Sequence, residues 1–189
     1  MPFTFQPTML PDVLLIEPKV FGDSRGSFAE IFKVDEFAPY VGPGHFVQVN
    51  HSYSCHKVLR GLHYQMMPFA QDKLVYVPSG EIFDVAVDIR QGSPTYGRWI
   101  GEILSGQNRR MLYIPAGFAH GFCVLSHGAD VIYFCSKVYS PDKERTILWN
   151  DPQINIHWPV KEPVFSPRDS AGCLLAQVDN NFSYGKSSK

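Results

Sequence analysis

Apolar and polar residues alternate most regularly between Ile82 and Ile89. The apolar positions are Phe83, Val85, Val87 and Ile89, and the positions between them are Asp84, Ala86 and Asp88. A repeat of two residues is the period of a β-strand, whose side chains point alternately to opposite faces. We therefore predict a strand with one dry face and a second face that carries carboxylates.

Short segments of the same kind, rich in Val, Ile, Phe and Tyr, recur along the chain. Fifteen Gly and fifteen Pro separate them, with turns expected at 22–26, 42–44, 78–80, 92–94 and 115–117. The predicted strands are Val13–Glu17, Ser27–Lys33, Phe46–Tyr53, Val58–Tyr64, Leu74–Val77, Glu81–Asp88, Trp99–Leu104, Met111–Ile114, Gly121–Leu125 and Val131–Val138. One short helix is predicted at Asp35–Tyr40, where Pro39 shortens it.

The number of short strands predicts an all-β protein whose sheets close on each other. A jelly-roll barrel with short peripheral helices buries the apolar faces without leaving long exposed edges. The 189 residues suffice for one such domain, residues 1–189. After Asp151 the regular pattern gives way to Pro-rich segments that we expect to strap over the roll, and residues 183–189 are predicted to be a flexible tail.

Charge and composition exclude several classes of function. The 17 Lys and Arg balance 18 Asp and Glu without a basic run, so a nucleic acid polymer is not expected as a partner. No pair among Cys55, Cys123, Cys135 and Cys173 has the C-x-x-C spacing, which favours reduced thiols in the cytoplasm. The amino end lacks the pattern of a signal peptide, and the uncharged stretch 111–129 is broken by Gly and Pro, so neither export nor a membrane span is expected.

Two of the seven histidines, His63 and His120, lie in apolar, strand-like surroundings. A histidine in a pocket is the usual general base near neutral pH, whereas a hydrogen-bonded core histidine is an equally open interpretation. Jelly rolls also bind metals through two histidines on one strand, but this sequence lacks H-x-H and offers no close carboxylate beside His63. No metal is therefore expected.

Several motifs in a fixed order carry a resemblance to a known family. They are RGLHYQ at 60–65, Lys73, GEIFDVAVDIR at 80–90, SPTYGRW at 93–99, IPAGFAHGF at 114–122, Tyr133 and ILWNDP at 147–152. Together they resemble the dTDP-4-dehydrorhamnose 3,5-epimerases from about residue 11 to residue 169. The resemblance implies a cupin-type jelly roll that works as a homodimer without metal or cofactor. It also implies a nucleotide-sugar substrate and a place in polysaccharide biosynthesis.

The reaction that this resemblance implies needs a base, an acid and a cation. The substrate is a dTDP-4-keto-6-deoxyhexose, whose hydrogens at C3 and C5 are acidic because both lie next to the C4 carbonyl. The resemblance makes His63 the base, Asp169 its orienting carboxylate, Tyr133 the acid on the opposite side and Lys73 a cation near the C4 oxygen. From the residues alone, Tyr133 could be a strand aromatic, Asp169 a turn cap and Lys73 a solvated strand end.

The same resemblance implies a set of substrate-binding residues. They are Arg25, Phe28, Glu30, Gln48, Asn50, Arg60, Asp84, His120, Tyr139, Glu144 and Arg168. Asp84 also lies on the carboxylate face of the alternating strand, which supports its assignment independently. Regular alternation would put Arg60 and His63 on opposite faces, so we predict a β-bulge at Gly61 that turns both toward one pocket.

Two positions depart from the family pattern. Val138 stands where the family usually has the first of two tyrosines, which helps to stack the thymine, and Phe134 stands where a lysine commonly follows the catalytic tyrosine. A lost aromatic stack is worth about 1–3 kcal/mol. A cytidine- or uridine-linked sugar and inversion at a single carbon therefore stay open. A metal-binding or non-catalytic cupin that only binds a sugar nucleotide is the second hypothesis.

Overall fold

The computed structural model describes residues 2–42 and 46–185, which form mainly antiparallel β-strands. The strands are β1 (Phe3–Pro7), β2 (Leu14–Pro18), β3 (Val20–Asp23), β4 (Gly26–Ala29), β5 (Gln48–Cys55), β6 (Leu59–Gln65), β7 (Lys73–Ser79), β8 (Glu81–Asp88), β9 (Trp99–Ser105), β10 (Met111–Ile114), β11 (Phe118–Val124), β12 (Gly128–Cys135) and β13 (Glu144–Thr146). The helices are α1 (Val34–Val41) and α2 (Pro167–Ser170), and a 3-10 turn covers Pro141–Lys143. No helix within the described ranges is long and apolar enough to cross a lipid bilayer.

Two sheets face each other. One has six strands in the order β1-β2-β10-β7-β12-β5, and the other has five in the order β13-β6-β11-β8-β9, while β3 and β4 form a separate hairpin. Apolar side chains from both sheets fill the space between them, among them Val75, Val77, Ile82, Ala86, Leu104, Leu112, Phe122 and Val131. The predicted all-β jelly roll is confirmed.

Strand β8 is buried on both of its faces. Its carboxylate face points into the roll, where Asp84 and Asp88 are completely buried. Its apolar face is covered by residues after Asp151, as the predicted strap required; the packed side chains are Val85, Val87 and Ile89 against Ile154, Ile156, Leu175 and Phe182. The polar face of the alternation is therefore the lining of an interior and not a surface in contact with solvent.

Several element boundaries differ from the predicted ones. The strand expected at Ser27–Lys33 ends earlier, as β4 of the β3–β4 hairpin, and β1, β3, β13 and α2 were not predicted. Pro39 lies inside α1 instead of shortening it, because burial of Phe37 and Val41 against the outer face of the larger sheet offsets the missing hydrogen bond.

Two predictions fall wholly or partly on residues that are not described. The turn expected at 42–44 lies outside the described residues except for Gly42. The predicted tail begins at Ser183, yet the Tyr184 amide donates to the carbonyl of Gln91 at 2.9 Å, so chain pairing extends to that point. Residues 186–189 lie outside the described ranges.

Candidate active site

Polar side chains collect at one end of the space between the two sheets. Strand register places Tyr133 opposite Asn50, and Cys135 opposite both Gln48 and Lys73. Because these pairs share the inward face of their strands, polar groups from β5, β7 and β12 point toward the smaller sheet. The other end of the interior remains apolar.

These groups border a cavity of about 350 Å³. Its lining consists of Gln48, Asn50, Arg60, His63, Gln71, Lys73, His120, Phe122, Tyr133, Tyr139, Glu144 and Arg168. Ten of the fifteen predicted site residues are in this lining. Two more, Asp84 and Asp169, lie directly behind it, each bonded to a lining histidine.

His63 and Asp169 form one such pair. The His63 Nε2 lies 2.6 Å from Asp169 Oδ1. A carboxylate can only accept, so Nε2 carries the proton and Nδ1 keeps a free lone pair. Burial lowers the pKa of His63 despite the opposing hydrogen bond from Asp169, and nearby Lys73 lowers it further. At neutral pH this imidazole is therefore uncharged and able to accept a proton.

Asp169 is held as an anion by the groups around it. Burial alone would raise its pKa, but hydrogen bonds from His63, Ser166 and the Gly61 amide lower the pKa from 3.8 to about 2. A permanent negative charge beside Nε2 stabilises the imidazolium that forms when His63 takes a proton. The pair thus has the construction of a general base with an orienting carboxylate.

The predicted bulge at Gly61 is confirmed. Along β6 and β11, His63 pairs with His120 but Arg60 pairs with Phe122, so β6 has one extra residue between the two pairs. Both Arg60 and His63 consequently border the cavity. Gly61 has φ +131°, and a Cβ there would lie 2.5 Å from the Gly121 Cα, so this close approach requires glycine.

A second histidine–aspartate pair lies on the neighbouring strands. The His120 Nε2 is 2.7 Å from Asp84 Oδ1. Asp84 is fully buried, and its Oδ2 has no hydrogen-bond partner among the described residues. Since His120 is the cross-strand neighbour of His63, the two pairs present their rings to one cavity.

Lys73 and Tyr133 contribute from the opposite sheet. Burial raises the pKa of Tyr133, which keeps its hydroxyl protonated and available as a donor. Burial lowers the pKa of Lys73, while Cys135, Glu144 and other acidic groups oppose that effect. The arrangement places a proton donor and an amine across the cavity from His63.

The rim of the cavity is a hydrogen-bonded network. The Tyr139 hydroxyl donates to Glu144 Oε2 at 2.6 Å, and Glu144 also forms an ion pair with Arg168. The Tyr139 amide donates to Gln48 Oε1 at 2.9 Å. These contacts hold a half-exposed aromatic ring beside a guanidinium group at the cavity entrance.

Neither Val138 nor Phe134, the two departures from the family pattern, is in the cavity lining. At the rim, Tyr139 supplies the aromatic ring, whereas Val138 uses its carbonyl to accept from Gln65. Phe134 points to the outer side of its sheet, where it packs near Phe32 and Phe46. A lysine at position 134 would therefore point away from the cavity.

Three predicted binding residues lie away from this cavity. Arg25 and Phe28 belong to the β3–β4 hairpin, and Glu30 follows it. Arg25 is strongly exposed and pairs with Asp23 at 2.7 Å, and Phe28 is 64% exposed. Within one chain the structure does not bring these three residues to the other twelve.

Sequence reasoning did not identify Gln71, Phe122 or Ser166 as parts of the site. Gln71 and Phe122 each lie two residues from a predicted site residue, so alternation gives a signal for both. Ser166 precedes Pro167 and caps α2, a known start signal for a helix. No three His, Cys, Asp or Glu side chains in residues 2–42 and 46–185 converge in a way that could hold a metal ion.

Comparison with known proteins decides the family. Residues 7–177 match the family model described as dTDP-4-dehydrorhamnose 3,5-epimerase. The chain belongs to this epimerase family. A dTDP-4-dehydrorhamnose 3,5-epimerase of Shigella flexneri is 55% identical over 173 residues, which cover 91% of this chain and 96% of that protein.

Solved structures agree with the epimerase assignment. A dTDP-6-deoxy-D-glucose-3,5-epimerase of Legionella pneumophila, in complex with dTDP-4-keto-L-rhamnose, has a TM-score of 0.90 and 50% identity, covering 94% of this chain and 95% of its own. A 3'-monoepimerase of Streptomyces bikiniensis in complex with dTDP-quinovose has a TM-score of 0.86 and 34% identity, covering 90% and 87%. The predicted cupin-type fold and the isomerase class are confirmed.

Proposed function

We propose that this epimerase inverts C3 and C5 of dTDP-4-dehydro-6-deoxy-D-glucose and yields dTDP-4-dehydro-L-rhamnose. The observation that carries the proposal is the cavity that an uncharged His63, backed by anionic Asp169, shares with protonated Tyr133. Such a cavity supplies a base, an acid and room for a sugar ring between them. The product class suits the rhamnose pathway and polysaccharide biosynthesis.

The proposed chemistry at each carbon consists of two proton transfers. His63 removes the proton from the carbon next to the C4 ketone, and the electron pair of the broken C–H bond moves toward the C4 oxygen to give an enolate. Lys73 stabilises that oxygen by its charge. Tyr133 then donates a proton to the opposite face of the carbon, which inverts the centre, and solvent restores both side chains.

The remaining cavity residues bind the nucleotide in this proposal. Arg60, Arg168 and His120 contact the diphosphate, since a guanidinium group forms paired charge-assisted hydrogen bonds with phosphate oxygens. Tyr139 presents its half-exposed ring to the nucleobase of the substrate. Gln48, Asn50 and Glu144 complete the polar lining around the sugar and hold the rim in place, and Asp84 supports His120 from behind.

Proton exchange in deuterated solvent tests the proposal. The protein is incubated with the dTDP-, CDP- and UDP-linked 4-keto-6-deoxyhexoses, and NMR follows the signals of C3–H and C5–H. We expect the dTDP sugar to lose both signals and to give an inverted product before the CDP and UDP sugars do. Binding without exchange would favour a non-catalytic cupin, and activity abolished by a chelator would favour a metal-dependent one.

A second candidate is a single-site epimerase. The similarity to the Streptomyces bikiniensis 3'-monoepimerase favours it, because that protein has the same fold at 34% identity. The same NMR experiment separates the two, since a single-site enzyme exchanges one of the two carbon-bound hydrogens and leaves the other.

We also propose that the single jelly-roll domain assembles into a cytoplasmic homodimer in which the hairpin completes the partner's cavity. Phe21 and Phe28 are cross-strand neighbours on this hairpin and expose half or more of their surface. Val49 in edge strand β5 and Val47 just before that strand are also exposed. Exposed apolar surface of this kind is typical of an interface. Free thiols at all four cysteines support the compartment.

Mixing two inactive variants tests the shared site. If Arg25 and Glu30 serve the partner, mixed dimers of the R25A/E30A variant and an H63A variant contain one site with both defects and one intact site. Activity should then return toward about a quarter of the wild-type value, the fraction of intact sites in a random mixture. A mixture as inactive as its components, or a monomer in sedimentation, would contradict the proposed assembly.

A further inference from the structure

Asp169 uses both of its carboxylate oxygens in hydrogen bonds to the protein. Oδ1 accepts from His63 and, at 3.2 Å, from the Gly61 amide. Oδ2 accepts from the Ser166 hydroxyl at 2.6 Å. Asp169 is only 3% exposed, so the donors that fix its rotation come from these neighbours and not from bulk water.

Ser166 contacts Asp169 in two ways at once. Its hydroxyl oxygen accepts from the Asp169 backbone amide at 3.2 Å, which makes it the N-cap of α2. The same hydroxyl donates its proton to the Asp169 carboxylate. One side chain therefore fixes both the backbone and the side chain of the residue that bonds to His63.

We propose that Ser166 is a positioning residue that holds Asp169 against His63 and thereby tunes the proton affinity of the pair. This inference rests on the proposed function, in which His63 is the base. Ser166 is absent from the cavity lining and acts through Asp169 alone.

The electrostatic consequence has a definite sign. A hydrogen bond donated to a carboxylate stabilises its negative charge, and charge-assisted bonds of this kind are the stronger ones. Without the Ser166 hydroxyl the carboxylate is more basic, so it attracts the imidazolium form of His63 more strongly. Because the Gly61 amide still holds Oδ1 beside the ring, His63 then becomes the neutral base only at higher pH. Without the bond to Oδ2 the carboxylate orients the ring less tightly, which places fewer molecules in the reactive geometry.

The experiment compares S166A with S166T, S166G and the matched control S170A. Ser170 lies in the same turn, is exposed, and donates only to the carbonyl of Pro167 at 3.0 Å. Threonine keeps the hydroxyl, and glycine keeps most of the N-cap preference without it. Thermal unfolding of each variant reports any loss of the fold separately.

We expect S166A and S166G to lower kcat about tenfold with KM within about twofold, and to move the acid limb of the kcat profile to higher pH. S166T should restore both quantities, and S170A should match the wild type. Wild-type kinetics and an unshifted acid limb in S166A, or equal effects in S166A and S170A, would overturn the inference.

NMR titration of the His63 ring separates failure of this inference from failure of the proposed function. It reports the protonation of His63 whether or not the substrate turns over. A titration midpoint in S166A that is higher than in the wild type supports the positioning role even if the protein proves inactive on the dTDP sugar. An unchanged or lower midpoint in S166A contradicts that role even if the wild type is an active epimerase.

Discussion

The two histidine–aspartate pairs in the cavity have nearly the same length and different surroundings. Their Nε2–Oδ1 distances are 2.6 Å for His63 and Asp169 and 2.7 Å for His120 and Asp84. The His63 side chain is 23% exposed and that of His120 is 8% exposed. Pair geometry alone therefore does not distinguish a base from a binding residue.

The carboxylates differ more than the rings. Asp169 accepts from three donors, which lower its pKa to about 2, whereas among residues 2–42 and 46–185 Asp84 finds a hydrogen-bond partner for one of its two oxygens. A carboxylate that is fully bonded and permanently charged is suited to stabilising a transient imidazolium. The two pairs therefore differ in the hydrogen bonds that each aspartate accepts, and this difference distinguishes their roles.

The largest expected effect of this difference is on the histidines themselves. His63→Ala should lower kcat by about 10³-fold and abolish deuterium exchange, because the proposed mechanism assigns removal of the carbon-bound proton to His63. His120→Ala should mainly raise KM and leave exchange detectable. His127→Ala, at an exposed position, is the control. Equal loss of exchange in H63A and H120A would contradict the distinction between the two pairs.

A smaller effect is expected at the carboxylates. Asp169→Asn should lower kcat by about 10²-fold, because an amide does not stabilise the imidazolium and can favour the wrong tautomer of His63. Asp84→Asn should lower kcat by less than about tenfold, since the hydrogen-bond partner of its carboxylate in the described part of the chain is His120 and not His63. The distinction fails if D84N proves as slow as D169N in steady-state kinetics at saturating substrate.

The smallest expected effect is a displacement of the pH profile. Burial lowers the pKa of His63 below 6.5, and the neutral ring is the active form, so the acid limb of kcat/KM should lie below pH 6.5. In D169N the negative charge that raises the pKa of His63 is lost, and the limb should move lower still. Rates measured between about pH 5 and 8 test this; an acid limb above pH 6.5 in the wild type would contradict the lowered pKa.

The same lowered pKa has a consequence for stability. The folded state favours neutral His63, so its contribution to the free energy of unfolding is present above pH 6.5 and is lost as the pH falls from there through the folded-state pKa.

Strand alternation predicted much of the fold and part of the site. A repeat of two residues indicates which side chains share a face, and it put Asp84 on the carboxylate face of β8 before His120 was known to be its partner. It also required the bulge at Gly61, since Arg60 and His63 could not otherwise share a cavity. Periodicity along single strands was therefore sufficient to predict which side chains share a face, where the partners lie on neighbouring strands.

Periodicity could not supply contacts between distant segments. Asp169 lies 106 residues beyond His63, on a helix of four residues that no amphipathic pattern marks, so only the family resemblance connected the two. The alternation of β8 likewise did not reveal that both of its faces are buried, because the covering strap comes from another part of the chain. The roles of Arg25, Phe28 and Glu30 depend on a second chain and stay predictions.

The most direct test of the central claim is to incubate Tyr133→Phe with the dTDP 4-keto sugar in deuterated solvent. If His63 removes the proton and Tyr133 returns one to the opposite face, Y133F should exchange the carbon-bound hydrogen for deuterium yet form little inverted sugar. His63→Ala should show neither exchange nor inversion. Inversion at the wild-type rate in Y133F, or exchange that survives in H63A, would contradict the assignment of base and acid.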